Sequence, residues 1–159
     1  MKAQEIADAA IERMSNATFD FGRINFANGD MVGHTGDLAA AIAAVEMVDL
    51  QIGRLLASAE ATDTTLVITA DHGNAEEMFD AKEKDYPNWE VVGFPKRPTP
   101  KTAHTLQPVP FVVVGPGAAG MQLLPGQGTL AQVASTIIAL MGLPAHADYL
   151  PSLLVAKRK

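Results

Sequence analysis

An α/β fold with a mostly parallel sheet between helices follows from three features of the sequence. The apolar run Leu66-Val67-Ile68-Thr69-Ala70 stops abruptly at Asp71-His72-Gly73-Asn74, as a buried strand does when its C-terminal end carries polar groups. A long helical pattern without proline, residues 37–59, stands directly before it. A further apolar run, Phe111-Val112-Val113-Val114, follows later in the chain. With residues 19–25 read as an earlier strand, the order strand, helix, strand is complete, and a right-handed parallel crossover is the expected connection. In open sheets of this kind ligands bind at the carboxyl ends of the strands, so residues 71–74 form the expected active edge.

Taken in order, residues 5–14 place Ile6, Ala9, Ala10, Arg13 and Met14 three and four apart, a short amphipathic helix ended by Ser15-Asn16-Ala17-Thr18. Phe19, Phe21 and Ile24 alternate among polar residues up to Asn25, which predicts a strand in spite of Gly22. It leads into Phe26-Ala27-Asn28-Gly29 and then Asp30-Met31-Val32-Gly33-His34-Thr35-Gly36. Asp30 and His34 are four apart, so one helical turn brings them to the same side. The long helix over 37–59 carries Leu38, Ala41, Ile42, Val45, Met47, Val48, Ile52, Leu55 and Leu56, with Asp37 at its positive N-terminal end. After the strand at 66–70, a short helical start is expected at 75–78.

Residues 79–101 are charged and rich in proline, and they read as a long surface loop or small flap in which Trp89 and Phe94 offer apolar docking groups. Thr102-Ala103-His104-Thr105 follows, and then Pro108-Val109-Pro110 enters the next strand, with its prolines confined to the entry. A glycine-rich connection over 115–128 precedes a final helix at 130–141, stopped by Gly142-Leu143-Pro144. The remainder, ending Lys157-Arg158-Lys159, is expected to be loosely held.

Composition excludes several function classes. A chain of 159 residues, 48% hydrophobic, is the size of one ordinary globular domain. A net charge of −6 argues against general affinity for nucleic acid or anionic membranes, although metal ions let an acidic chain hold an anionic substrate. There is no cysteine, so a metal would be held by oxygen and imidazole nitrogen, and a cytoplasmic protein is expected. No apolar run of about 18 residues suggests a membrane span, and no secretory signal is recognisable.

Three polar edges each carry an imidazole: Asp30 with His34, Asp71 with His72, and His104. The fourth histidine, His146, reads as a surface residue. Two carboxylates and three imidazoles suit manganese, zinc or iron better than calcium, which prefers oxygen. Two such ions about 3.5–4 Å apart would clamp a phosphoryl group. The plainer alternative for the central stretch is that Asp71 caps the next helix and His72 merely lies on the surface.

The strings Asn25-Phe26-Ala27-Asn28-Gly29-Asp30-Met31-Val32-Gly33-His34-Thr35-Gly36, Ala70-Asp71-His72-Gly73-Asn74-Ala75-Glu76 and Thr102-Ala103-His104-Thr105, with Pro108-Val109-Pro110 after the last, closely resemble the cofactor-independent (2,3-bisphosphoglycerate-independent) phosphoglycerate mutases. The resemblance runs over nearly the whole chain but corresponds only to the C-terminal part of a family member. It implies a partial alkaline-phosphatase-like domain over residues 1–159. It also implies two divalent metal ions, most often manganese, with zinc, iron, cobalt or magnesium as substitutes. By resemblance Asp30, His34 and His104 ligate one ion, and Asp71 and His72 ligate the other.

Family members interconvert 3-phosphoglycerate and 2-phosphoglycerate, a step of glycolysis and gluconeogenesis, through a phosphoserine intermediate. Their nucleophilic serine lies in the N-terminal part, and no catalytic residue is carried over to this chain. Ser15, Ser58, Ser135 and Ser152 fall in helical or terminal segments, and Thr35, Thr69 and Thr105 read as loop or supporting hydroxyls. The expected partners are phosphoglycerate and the remaining part of the enzyme, with neither nucleic acid nor membrane. An open sheet edge invites self-association. Another alkaline-phosphatase-like phosphomutase or phosphatase, and a non-catalytic metal-binding module, are the alternatives.

Overall fold

A computed structural model describes residues 1–80 and 99–157 of the chain. Two compact units are present: Met1–Leu55 with His72–Val109, and Leu56–Asp71 with Pro110–Lys159.

In the first unit, helix α1 spans Ala3–Ser15 and buries Ala3, Ala7 and Met14. This stripe is rotated from the expected one, and Arg13 is exposed. Helix α1 ends where Ala17 adopts φ 48° and the Thr18 N–H reaches back to the Arg13 carbonyl. Helix α2, Asn28–Gly33, is followed by a tight turn, and helix α3 covers Leu38–Ala61, of which residues 56–61 are counted with the second unit. Asp37 caps α3, its Oδ1 accepting the Ala40 N–H at 3.0 Å. Ala41, Ala44, Gln51, Leu55 and Ala59 are buried on α3, whereas Leu38, Ile42, Val45 and Met47 are exposed. Arg54 ties α3 to α1: its guanidinium donates to Asp8 Oδ1 at 2.5 Å and to Oε1 of the buried Gln51 at 2.7 Å.

Short strands β2, Phe79–Asp80, and β3, Thr99–Pro100, pair antiparallel. They are the two ends of the expected proline-rich loop at 79–101. Its interior, including Trp89 and Phe94, lies outside the described residues.

In the second unit, β1, Leu66–Thr69, pairs antiparallel with β4, Phe111–Val114, in the register Leu66↔Val114 to Thr69↔Phe111. Gly115, at φ +113°, turns the chain where a Cβ would strike the Thr64 carbonyl. A 3-10 turn at Pro116–Ala118 follows, fixed by Gly117 N–H donating to Thr65 Oγ1 at 2.8 Å. Strands β5, Met121–Leu123, and β6, Leu154–Ala156, pair antiparallel. Between them a capping box at Thr129 and Gln132 opens a 3-10 turn, Leu130–Gln132, that runs into helix α4, Val133–Leu140. Gly142, at φ +69°, ends it.

Helices and strands mix as expected, but the mostly parallel sheet is not confirmed. Every strand pair among the described residues is antiparallel. The strand expected at 19–25 does not form, which removes the first parallel crossover. The cause is local: the Phe19 ring folds over Gly22, where a Cβ would meet it at 3.0 Å. In an extended strand residues three apart lie about 10 Å apart and point to opposite faces. Residues 75–76 form a turn and no helix follows over 77–78, and the tail expected to be loose supplies β6.

Thr136 is wholly buried and joins α4 to the tail, its hydroxyl donating to the Gln132 carbonyl at 2.6 Å and accepting the Leu153 N–H at 2.9 Å. Thr136→Val keeps the shape and leaves that N–H unpaired. The expected loss is about 1–3 kcal/mol of unfolding free energy in a denaturant titration.

Candidate metal centre

Three chain segments of the first unit meet around the cluster. The helical turn of α2 sets Asp30 and His34 on one side, with the His34 N–H bonded to the Asp30 carbonyl. Gly36, at φ +70°, then reverses the chain against the third segment, and a Cβ there would overlap Pro100. That segment is linked to the second by Thr105 N–H donating to the Gly73 carbonyl at 2.9 Å, an isolated bridge.

On this frame Asp30 Oδ1 lies 3.2 Å from His34 Nε2 and 3.0 Å from His104 Nε2, and the two ring nitrogens are 3.1 Å apart. His34 Nδ1–H donates to the Thr102 carbonyl at 2.5 Å, so its Nε2 presents a lone pair to the cluster. His72 stacks on His104 with ring centroids 3.6 Å apart, and its Nε2 is 3.9 Å from Asp30 Oδ1. Asp30, His34, His72 and His104, all in the first unit, are therefore gathered. Asp71 ends the stretch belonging to the second unit and is exposed. His146, also in the second unit, is exposed beside Tyr149.

A carboxylate oxygen and two imidazole nitrogens at these separations are mutually repulsive unless something positive lies among them. A proton can join one pair; a divalent cation can join all three. Oxygen and imidazole donors suit a divalent transition ion, and the ligand atoms of Asp30, His34 and His104 all lie within 4.8 Å of one another. The donor set fits a metal.

A family model described as the metalloenzyme superfamily matches residues 1–145. The chain belongs to that superfamily. It is 43% identical over 158 residues to a 2,3-bisphosphoglycerate-independent phosphoglycerate mutase of Trypanosoma brucei brucei, covering 97% of this chain and 28% of the relative. It is 40% identical to the enzyme of the same name from Clostridioides difficile, with 99% and 28% covered. The crystal structure of Leishmania mexicana phosphoglycerate mutase at low cobalt concentration superposes with a TM-score of 0.86 at 40% identity, covering 99% of this chain and 29% of that one. The chain thus spans little more than a quarter of the length of these relatives. Among the described residues no helix is long and apolar enough to cross a membrane.

Two side chains beside the cluster escaped the sequence reading, although both lie in the polar string after the 66–70 strand. Asn74, 6% exposed, donates from its amide to Asp30 Oδ1 at 3.2 Å. Glu76 accepts the Asn74 backbone N–H at 2.6 Å and the Thr105 hydroxyl, which makes Thr105 a clamp between two segments. The signal available was their position: polar residues two and four places after a histidine at a strand end. Asn74 Oδ1 is buried without a partner among the described residues, at a cost of about 1–3 kcal/mol.

Partial burial pushes the Glu76 carboxyl up, but hydrogen bonds from Thr105 and from backbone N–H groups outweigh it and hold the pKa below the ordinary value. A depressed folded pKa stabilises the fold above the unfolded pKa and loses that contribution as pH falls through the folded value. Thr105→Val is expected to move the Glu76 pKa upward and to shrink this acid-side dependence, as read by carboxyl NMR titration and by stability against pH.

Proposed function

We propose that this chain is the C-terminal metal-binding portion of a phosphoglycerate mutase that interconverts 3-phosphoglycerate and 2-phosphoglycerate. The observation that carries the reading is the convergence of Asp30 Oδ1, His34 Nε2 and His104 Nε2 within 3.0–3.2 Å of one another. The names of the relatives support the reaction, and the short share of their length that the chain spans supports a partial chain. We assign these three residues to one divalent ion, and Asp71 with His72 to a second on the family resemblance. Manganese is our first choice; the cobalt named for the Leishmania structure supports a divalent transition ion. Bound there, such ions supply the charge stabilisation that phosphoryl transfer requires.

The chain's own residues hold and orient. Thr102 fixes the His34 tautomer, and Asp30 contributes the anionic ligand. The nucleophile is assigned to the part of the enzyme outside this chain. Ser15 closes α1 and Ser58 lies within α3. The Ser135 hydroxyl is turned back onto the Gln132 carbonyl, and Ser152 bonds the Leu154 backbone. The cytoplasm, phosphoglycerate as substrate and the rest of the enzyme as partner belong to the same proposal.

Calorimetric titration with manganese tests the metal assignment. Wild type is expected to bind, with His34→Ala weaker by at least about tenfold; equal affinities would remove the assignment. The purified chain is expected to show no phosphoglycerate interconversion with manganese added, because in-line transfer needs a positioned nucleophile. Turnover by the chain alone would show that it contains one. Activity that appears only on mixing with an N-terminal mutase fragment would favour a mutase portion over a non-catalytic metal module.

A further inference from the structure

We propose that Asn74 is a positioning residue that aims the Asp30 carboxylate, and that Gly33 is the glycine that admits it. The inference rests on the metal reading above. The Asn74 amide N–H₂ points at Asp30, 3.2 Å from Oδ1 and 3.5 Å from the backbone carbonyl. The reverse orientation would set the amide oxygen against the carboxylate. One lone pair of Oδ1 is therefore engaged by Asn74, which fixes the rotation of the carboxylate and leaves the oxygen's other lone pair for the side where His34 Nε2 and His104 Nε2 converge.

Asn74 is itself held. Its backbone N–H donates to Glu76 Oε2 and its carbonyl accepts the Glu77 N–H at 3.2 Å. The other oxygen of Glu76 takes the hydroxyl of Thr105, the neighbour of His104. One carboxylate thus references both the residue that aims Asp30 and the segment that carries His104. The amide oxygen faces Gly33, where a Cβ would overlap it. That oxygen is buried and unpaired among the described residues, a cost that the bond from the amide N–H₂ to Asp30 offsets.

Calorimetric zinc titration of the 159-residue chain tests the proposal, using Asn74→Ala, Gly33→Ala, the double variant and His34→Ala. Asn74→Ala is expected to weaken binding about 10–100-fold while circular dichroism and the melting temperature of the metal-free chain show a retained fold. Gly33→Ala, by pushing Asn74 aside, is expected to weaken binding in the same way. The double variant should then bind within about twofold of Asn74→Ala, since both substitutions remove one interaction. Should Asn74→Ala not fold, Asn74→Ser carries the same expectation. Asn74→Ala binding within about twofold of wild type, or losses that multiply in the double variant, would overturn the proposal. If His34→Ala loses affinity while Asn74→Ala does not, the positioning role alone fails. If His34→Ala also binds as wild type does, the metal reading fails with it.

Discussion

Three electron-rich atoms drawn to within 3.2 Å of one another are the constraint on which the first unit depends. Asp30 Oδ1 and the Nε2 atoms of His34 and His104 come from segments about seventy residues apart in sequence, and wherever no proton or cation lies between them their repulsion is resisted by the surrounding frame. The bridge between Gly73 and Thr105, the His34–Thr102 hydrogen bond and the Glu76 carboxylate each hold one segment to another. Such a frame keeps donors together before a cation arrives, so binding costs little reorganisation.

The frame also explains the residue types around the ligands. Gly36 turns the chain at positive φ where Pro100 approaches, and Gly73 packs so closely that a Cβ would overlap both Glu76 and Thr105. Polar side chains there serve local backbone needs as well: Thr35 Oγ1 donates to the Val32 carbonyl at 2.6 Å and accepts the Asp37 N–H at 3.2 Å, closing the turn before α3. The cluster is half-open, with His104 48% and His72 27% exposed. A group arriving from outside the chain could reach it.

Much of this was legible in the sequence where periodicity is strong. Helix α3 begins beside the acidic cap that Asp37 announced, and β1 and β4 lie within the two apolar runs. The Asp30–His34 spacing correctly implied a shared face, because a single helical turn is a local property. Strand direction was not legible, since pairing is decided by tertiary neighbours and not by a strand's own residues. Phe19 folding over Gly22 defeated an alternation that looked like a strand, and β6 hid in a short tail whose pairing partner lies over thirty residues earlier. Asn74 and Glu76 went unread as supports because their roles require segments that sequence order keeps apart.

The membership of the metalloenzyme superfamily and the donor geometry support the proposal that Asp30, His34 and His104 hold a divalent ion. Anomalous diffraction from crystals of the chain grown with zinc tests it most directly. A peak about 2.0–2.2 Å from Asp30 Oδ1, His34 Nε2 and His104 Nε2 is expected. Zinc peaks elsewhere on the chain with none among these three atoms would contradict it.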